Sequence, residues 1–229
     1  MASVYESLEY DAETIRQTVL TNICRMFVRR GYMDINNYNK GVSKDSLAVA
    51  PSNDEFNNDL FLPFIKERTD LNVYTIPLDK PYMNQGSNSS FNGSKLIVKI
   101  VYSDLKDVNN TPVLEDFYKK HENFHKLIVF NNILDKHIYK KKNIEFFDEA
   151  FLMIDLMSHE IAPISCSIVS IDDISYIKNP INGYIYINDP ITRYYNAKKT
   201  DILRIVRPSI NNGLEFTYKT VTDSKSVFH

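Results

Sequence analysis

Residues 95–130 contain two strongly apolar runs on either side of a helix-start signal. The first run is Lys-Leu-Ile-Val-Lys-Ile-Val-Tyr at 95–102, and the second is Leu-Ile-Val-Phe at 127–130. Between them, Thr111 is a helix N-cap residue and Pro112 suits the first helical position. Strand, helix and strand at this spacing predict a βαβ unit, so we expect an α/β layer structure in the first half of the chain.

The elements around this unit are predicted from periodicity and capping. Residues 11–30 carry the strongest helical pattern, because apolar side chains recur every three or four positions and Gly31 follows. The other elements expected in this half are a capped helix from Ser52 to Phe64, a strand at 71–76, a loop at 77–94, a strand at 95–103, a helix from Thr111 to about His125, and an extended segment at 144–156.

After Ser158 the predicted elements become short, which places a domain boundary near residue 156. The fold class is therefore α/β (α+β), with an N-terminal α/β domain at 1–156 containing a mixed sheet and a small C-terminal α+β domain at 157–229. Its predicted elements are extended stretches at 161–171 and 184–187, a helix at 172–178, a helical turn after Asp189, and strands at 201–207 and 214–221.

Composition and charge exclude several classes of protein. The 229 residues are 43% hydrophobic and 24% charged, close to globular averages, which excludes wholesale disorder, a collagen-like repeat and a disulfide miniprotein. A formal net charge of -2 argues against a chain that holds DNA unaided through many phosphate contacts. Asn, Ile, Lys and Tyr are abundant, and these residues share A/T-rich codons.

Cysteine usage and the N-terminus suggest a soluble intracellular protein. Cys24 and Cys166 are isolated, which predicts two reduced, buried thiols. The N-terminus is acidic and lacks the apolar core of a signal peptide. Uninterrupted apolar runs fall far short of the roughly 20 residues that a membrane span needs.

His121-Glu122-Asn123-Phe124-His125 matches the H-E-x-x-H pattern of zinc hydrolases, in which both histidines lie on one helical face. The predicted helix ends at His125, where a strand begins, so a solvated last helical turn is the favoured interpretation. A third zinc ligand would have to come from outside the motif: His137, Glu145 or Glu149. Phosphate-binding glycine loops and nucleophile motifs are missing. The residues themselves predict no catalytic site, metal or cofactor.

Residues 188–209 read Asn-Asp-Pro-Ile-Thr-Arg-Tyr-Tyr-Asn-Ala-Lys-Lys-Thr-Asp-Ile-Leu-Arg-Ile-Val-Arg-Pro-Ser. This stretch resembles the signature of the fifth subunit shared by the nuclear DNA-directed RNA polymerases, a family with an archaeal counterpart. Three other stretches resemble the same family: residues 144–163, residues 117–132 and the helix end at 28–32. The resemblance extends from about residue 12 to residue 221.

The resemblance implies a non-catalytic polymerase subunit. The N-terminal domain would be a jaw beside downstream duplex DNA, and the C-terminal domain would assemble on the largest subunit, among other polymerase subunits. No cofactor, small-molecule substrate or membrane is implied. The residues that match the family pattern, and that we expect at the docking surface, are Asp189, Pro190, Arg193, Tyr194, Lys198, Lys199, Arg207, Pro208 and Ser209.

The sequence departs from the family at two places. Asn196 and Thr200 replace family glycines, which predicts a different backbone in this turn because Thr tolerates left-handed conformations poorly. The family's DNA-proximal tip aligns with residues 134–137, where a proline is lost. Weak phosphate attraction would come from nearby basic side chains: Lys136, His137, Lys140, Lys141 and Lys142. A stand-alone DNA-binding module is the other alternative to the polymerase subunit.

The divergence and the codon bias suggest a large DNA virus as the source. A viral subunit would be found in the virion and the host cytoplasm, and a cellular one in the nucleus.

Overall fold

The computed structural model describes residues 11–38, 60–82, 94–102, 111–131, 144–170, 173–174, 177 and 183–223. The chain divides into two compact units, Met1–Ile154 and Asp155–His229, each with its own sheet. Helices and two mixed sheets confirm the predicted α/β (α+β) class. The assignment of residues 1–156 and 157–229 as jaw and assembly domains stays a prediction.

The N-terminal unit is built on a five-stranded mixed sheet in the order β1-β2-β3-β4-β5. The strands are β1 Lys66–Glu67, β2 Val73–Pro77, β3 Lys95–Val101, β4 His125–Phe130 and β5 Ile144–Asp148. The first three strands pair antiparallel, while β4 pairs parallel with both β3 and β5. Helix α3, Pro112–Lys120, connects β3 to β4, so the predicted βαβ unit is confirmed.

Helix α1, Ala12–Arg29, follows the predicted apolar stripe. Asp11 caps it, since its Oδ1 accepts a hydrogen bond from the Thr14 backbone N–H at 2.8 Å. Gly31 ends it at φ 80°, a conformation that glycine adopts without a Cβ clash. The helix buries Ile23 and Phe27 completely. A short helix that the sequence pattern did not predict, α2 Ile35–Tyr38, follows.

Helix α3 packs on an apolar cluster of the sheet. The buried members of this cluster are Val73, Ile97, Leu114, Phe117, Ile128, Phe130 and Phe146. The predicted end of α3 near His125 is wrong, because the helix stops at Lys120 and β4 already begins at His125. The buried Lys126 Nζ donates hydrogen bonds to the His121 and Phe124 carbonyls, both at 2.9 Å. These bonds give buried carbonyl groups a donor and stabilise the turn between α3 and β4.

The predicted extended segment at 144–156 is also wrong beyond Asp148. Helix α4, Glu149–Leu152, follows β5, and a 3₁₀ turn occupies Leu156–Ser158. Asn22 holds the end of α4, because its Nδ2 donates a hydrogen bond to the Leu152 carbonyl at 2.7 Å. The start of the helix predicted from Ser52 and most of the 77–94 loop lie outside the described residues; the part predicted at Leu62–Phe64 is a 3₁₀ turn.

The C-terminal unit is built on a four-stranded sheet in the order β6-β8-β9-β7. The elements are β6 Ser165–Ile168, β7 Tyr184–Tyr186, helix α5 Pro190–Tyr194, β8 Ile202–Ser209 and β9 Gly213–Thr222. Strand β8 pairs antiparallel with β6 and β9, and β7 pairs parallel with β9. The extended stretch predicted at 161–171 shortens to β6, and most of the helix predicted at 172–178 lies outside the described residues.

Each unit buries one cysteine. Cys24 is 1% exposed and Cys166 is 6% exposed, and both are free thiols, as the sequence predicts. Burial raises the pKa of the Cys24 thiol far above its ordinary value, and burial raises the pKa of Cys166 to about 12. Both thiols therefore stay protonated at neutral pH.

Candidate functional site

Helix α5 and its N-cap residue carry four of the predicted docking residues, Asp189, Pro190, Arg193 and Tyr194. Asp189 caps the helix, because its Oδ1 accepts a hydrogen bond from the Ile191 backbone N–H at 2.9 Å, and Pro190 occupies the first helical position. The Tyr194 ring is only 3% exposed. The Asp189 cap and Pro190 fix the backbone at the start of α5, and the buried Tyr194 ring packs the helix into the interior of the C-terminal unit. Asp189, Pro190 and Tyr194 therefore have structural roles that do not depend on a partner.

The turn after α5 presents Lys198 and Lys199 to solvent. Asn196 has φ 51° and Thr200 has φ 76°, so both occupy the left-handed region. The expectation that threonine at position 200 changes the backbone of this turn is therefore wrong. Two hydrogen bonds hold the conformation: the Lys198 N–H donates to Asp201 Oδ2 at 2.7 Å, and the Thr200 N–H donates to the Val221 carbonyl at 2.9 Å.

The remaining docking residues lie at the far end of β8. Arg207 Nη1 donates a hydrogen bond to the Ile161 carbonyl at 2.8 Å, and Pro208 is exposed. Ser209 pairs with Gly213 across the β8–β9 hairpin. Lys198 and Lys199 precede β8, whereas Arg207, Pro208 and Ser209 lie at its end. About 20 Å of strand therefore separates the two lysines from these three residues. The predicted docking residues form an extended surface rather than a point.

A groove of ≈ 730 Å³ lies on the C-terminal unit and includes two predicted docking residues, Asp189 and Arg207. The other lining residues, which the sequence pattern did not select, are Tyr184, Ile185, Tyr186, Ile191, Ile205, Glu215, Thr217 and Lys219. The alternation of Glu215, Thr217 and Lys219 along a predicted strand is the signal that could have placed their side chains on one face.

The histidines of the H-E-x-x-H motif do not share a helical face. His121 follows the last residue of α3, and His125 begins β4. His121 packs edge-on against Phe117, with ring centroids 5.0 Å apart, and burial together with nearby Arg68 and Lys120 lowers its pKa to about 4. Among the described residues, no group of three or more His, Cys, Asp or Glu side chains could hold a metal ion. The zinc-site interpretation is therefore not favoured.

His125 belongs instead to a buried polar cluster that joins three parts of the N-terminal unit. Arg30 forms two hydrogen bonds with Glu145, at 2.9 and 2.8 Å. His125 Nε2 lies 2.7 Å from Glu145 Oε1, and the Tyr82 hydroxyl donates to the same oxygen at 3.2 Å. Burial raises the pKa of Glu145, but Arg30 and His125 outweigh it and hold this pKa well below its ordinary value. Glu145 is therefore a charged structural residue.

Known proteins match the chain along most of its length. A family described as RNA polymerase Rpb5, C-terminal domain, matches residues 183–221. The chain is 28% identical over 228 residues to DNA-directed RNA polymerase subunit 5 of Acanthamoeba polyphaga mimivirus, covering 96% of this chain and 97% of that protein. The chain is therefore similar to RNA polymerase subunit 5 in both of its units. It is also 29% identical over 85 residues to subunit rpabc1 of DNA-directed RNA polymerases I, II, and III of Dictyostelium discoideum, covering 35% of this chain and 43% of that protein.

Similarity to subunit 5 confirms the resemblance that residues 188–209 predict. The family match at 183–221 begins before β7, ends in β9 and contains all nine predicted docking residues. Their individual contacts stay predictions.

The basic side chains expected beside DNA lie outside the described residues: Lys136, His137, Lys140, Lys141 and Lys142. A DNA contact at this tip therefore stays a prediction. Within the described parts of the chain, no helix is both long and apolar enough to span a membrane.

Proposed function

We propose that this chain is a non-catalytic subunit of a DNA-directed RNA polymerase and assembles with the other polymerase subunits. The observation that carries the proposal is the match to mimivirus subunit 5 over 96% of the chain. The match includes both compact units, so it supports a role for the whole chain rather than for one shared module.

The C-terminal unit docks on the largest polymerase subunit. Support comes from the Rpb5 C-terminal domain match and from the exposed Lys198, Lys199, Arg207 and Pro208 in that unit. Asp189 and Tyr194 keep α5 in place beneath this surface. Docking of the preformed surface then needs little rearrangement of the backbone, which lowers the entropic cost of assembly.

The N-terminal unit forms the lower jaw beside downstream duplex DNA. A net charge of -2 suits a subunit held mainly by protein contacts, with phosphate contacts limited to the basic tip at 136–142. Polymerisation belongs to other subunits, and this chain contributes no active site. The viral relative supports a viral source, with the subunit in the host cytoplasm and the virion.

Affinity purification tests the proposal. The tagged chain is expressed in its native source and purified at physiological salt, and the bound proteins are identified by mass spectrometry. We expect the two largest polymerase subunits in near-stoichiometric amounts. Recovery of the chain as a free monomer would contradict the proposal. Photocrosslinking from position 137 to downstream DNA in the purified polymerase then tests the jaw contact separately.

A further inference from the structure

Basic side chains collect on one face of the first three strands of the N-terminal unit. Direct partners across two strands share a face, and so do residues two positions apart along a strand. The register of β1, β2 and β3 therefore places Lys66, Lys95 and Lys99 on the same face. Arg68 joins them, because its Nε donates a hydrogen bond to Thr75 Oγ1 on that face at 2.7 Å. We call Lys66, Arg68, Lys95 and Lys99 the basic face.

The basic face carries an excess of positive charge. Among the residues that the structure describes, none of its four members forms an ion pair. Asp70 lies near Lys99, but it forms its ion pair with Lys120. Glu67 lies on the opposite face of β1, where it accepts a hydrogen bond from the Tyr74 hydroxyl at 3.4 Å. The excess is therefore local, in a chain whose net charge is -2.

Lys99 is the most buried member of the basic face. It is 9% exposed, whereas Lys66 and Lys95 are exposed. Its Nζ lies 5.7 Å from the centroid of the Phe117 ring and 3.5 Å from the Leu71 carbonyl oxygen, which is the limit of a hydrogen bond. A lysine buried to this extent is rarely found without an acidic partner. This position therefore favours an acidic group supplied by another molecule.

Two features of the surroundings favour a protein over DNA. Leu71, at the edge of the basic face, is 81% exposed, and a protein segment can cover it with an apolar side chain, whereas a phosphate backbone cannot. Strands β3 and β4 are parallel, so Lys95 lies at the end of the sheet where β4 begins. The chain leaves β4 toward residues 134–137, the expected DNA-proximal tip, at the other end.

We propose that the basic face binds an acidic segment of a protein that associates with this chain transiently. Aspartate or glutamate side chains of the segment lie against Lys66, Lys95 and Lys99, and an apolar side chain covers Leu71. Lysine is depleted in the cores of permanent interfaces, and contacts between exposed charges weaken with salt, so the surface suits a reversible partner. This surface includes neither the docking residues of the C-terminal unit nor the expected tip, so the proposal goes beyond the proposed function.

Fluorescence anisotropy with the isolated full-length chain tests the proposal. The probe is a short fluorescent peptide rich in Asp and Glu with one Leu, and its control has Asn and Gln in place of the acids. We expect saturable binding of the acidic peptide that weakens as salt rises from about 0.05 M to about 0.5 M, because exposed charges are screened. Absence of saturable binding at low salt, or equal binding of the two peptides, would overturn the proposal.

Charge-neutralising variants locate the binding site. Lys66→Gln combined with Lys95→Gln should weaken binding about tenfold, because each change removes one exposed ion pair. Leu71→Ser should weaken binding about threefold, because it removes apolar surface. Lys80→Gln combined with Lys119→Gln is the matched control, since it removes two exposed charges outside the basic face and should leave the affinity unchanged. Equal losses in the two double variants, with unchanged circular dichroism melting, would overturn the proposal.

Competition with duplex DNA separates a protein partner from a nucleic acid. The acidic peptide should stay bound when unlabelled duplex is added at an equal concentration of negative charge. Displacement of the peptide, with DNA binding that Lys66→Gln and Lys95→Gln abolish, would assign the basic face to nucleic acid and overturn the proposal. These measurements use the isolated chain, so their outcome is independent of the affinity purification that tests the proposed function.

Discussion

Thr200 holds a backbone conformation that suits its side chain poorly. A β-branched residue at φ 76° brings its Cβ too close to the following carbonyl, at a cost of roughly 1–2 kcal/mol. The hydrogen bond from its N–H to the Val221 carbonyl keeps the turn in this form. The turn that presents Lys198 and Lys199 is therefore held by tertiary contacts against a local preference.

Thr200→Gly should stabilise the chain. Glycine removes the Cβ conflict, and after its larger entropy loss on folding a gain of about 1 kcal/mol remains. Urea denaturation measures this gain as a higher midpoint concentration, with an unchanged slope of the unfolding free energy against urea concentration. Asn196→Gly is the control and should gain only a few tenths of a kcal/mol, because asparagine tolerates φ 51°. Equal gains at both positions would contradict the argument.

Glu145 is the residue whose neutralisation should be most costly. In Glu145→Gln the buried Arg30 guanidinium loses its ionic partner, which should destabilise the chain by about 3–5 kcal/mol. Glu115→Gln, on the exposed face of α3, should stay within about 0.5 kcal/mol. Adding Arg30→Met to Glu145→Gln should recover part of the loss, and a further loss in this double variant would argue against an unpaired charge as the cause.

His121 should make stability pH-dependent. Its pKa is lowered from 6.5 to about 4 in the folded chain. The full contribution of His121 to the free energy of unfolding is therefore present above pH 6.5, and it is lost as the pH falls and the unfolded state takes up a proton. Between pH 7 and pH 5 this group should remove about 2 kcal/mol. Denaturant titrations at the two pH values should show a smaller drop in His121→Phe, which keeps an aromatic ring beside Phe117. An unchanged drop would exclude His121 as its source.

At the scale of elements, the end of α3 depends on one buried lysine. Lys126 Nζ donates to the carbonyls of His121, Glu122 and Phe124 at 2.9, 3.3 and 2.9 Å. A positive charge at a helix C-terminus also complements the helix dipole. The lysine thus donates to three carbonyls of the turn that follows α3, and the His121 carbonyl also accepts a hydrogen bond from the Phe124 N–H at 3.1 Å. Strand β4 begins one residue before this lysine.

Lys126→Met should destabilise this junction. The methionine keeps much of the side-chain volume but removes the ammonium donor from the Glu122 and Phe124 carbonyls, while the His121 carbonyl keeps the Phe124 N–H, so the cost should be about 2–3 kcal/mol. Hydrogen exchange of residues 117–124 should accelerate, while the exposed Lys119→Met leaves it unchanged. Equal exchange in both variants would show that the turn is stable without the ammonium group.

The elements that could be predicted are those whose information is local. The stripe of α1 and the apolar runs of β3 and β4 are visible in the sequence because each buries a regular pattern against a layer. The end of α3 depends on the backbone of the turn that brings three nearby carbonyls to the Lys126 ammonium group, and the end of α4 depends on a hydrogen bond between Asn22 and Leu152, which are 130 positions apart. Glu145 and Arg30 are 115 positions apart, so no sequence window includes their pair.

The same distinction applies to the candidate site. The docking residues could be selected from residues 188–209 because they follow a family pattern in register. Glu215, Thr217 and Lys219 were not selected, because their position opposite Ile205 and Arg207 depends on the hairpin register of β8 and β9. A contiguous motif can therefore reveal a family, while a groove formed across two strands needs the fold.

At the scale of the whole molecule, each unit has a sheet and a core of its own. A fragment of residues 155–229 should therefore fold alone, with a β-rich circular dichroism spectrum and a cooperative thermal transition. A non-cooperative melt would show that the sheet of the C-terminal unit needs the rest of the chain. The full-length chain, melted in parallel, serves as the reference.

The two buried cysteines can report local opening of the chain through their reaction with a thiol reagent. Because Cys24 belongs to the first unit and Cys166 to the second, a thiol-reactive dye can label each only when the surrounding unit opens. Labelling rates resolved by peptide mapping would give two opening free energies from one unmodified protein. Repeated on the assembled polymerase, they would measure how strongly the complex protects each unit.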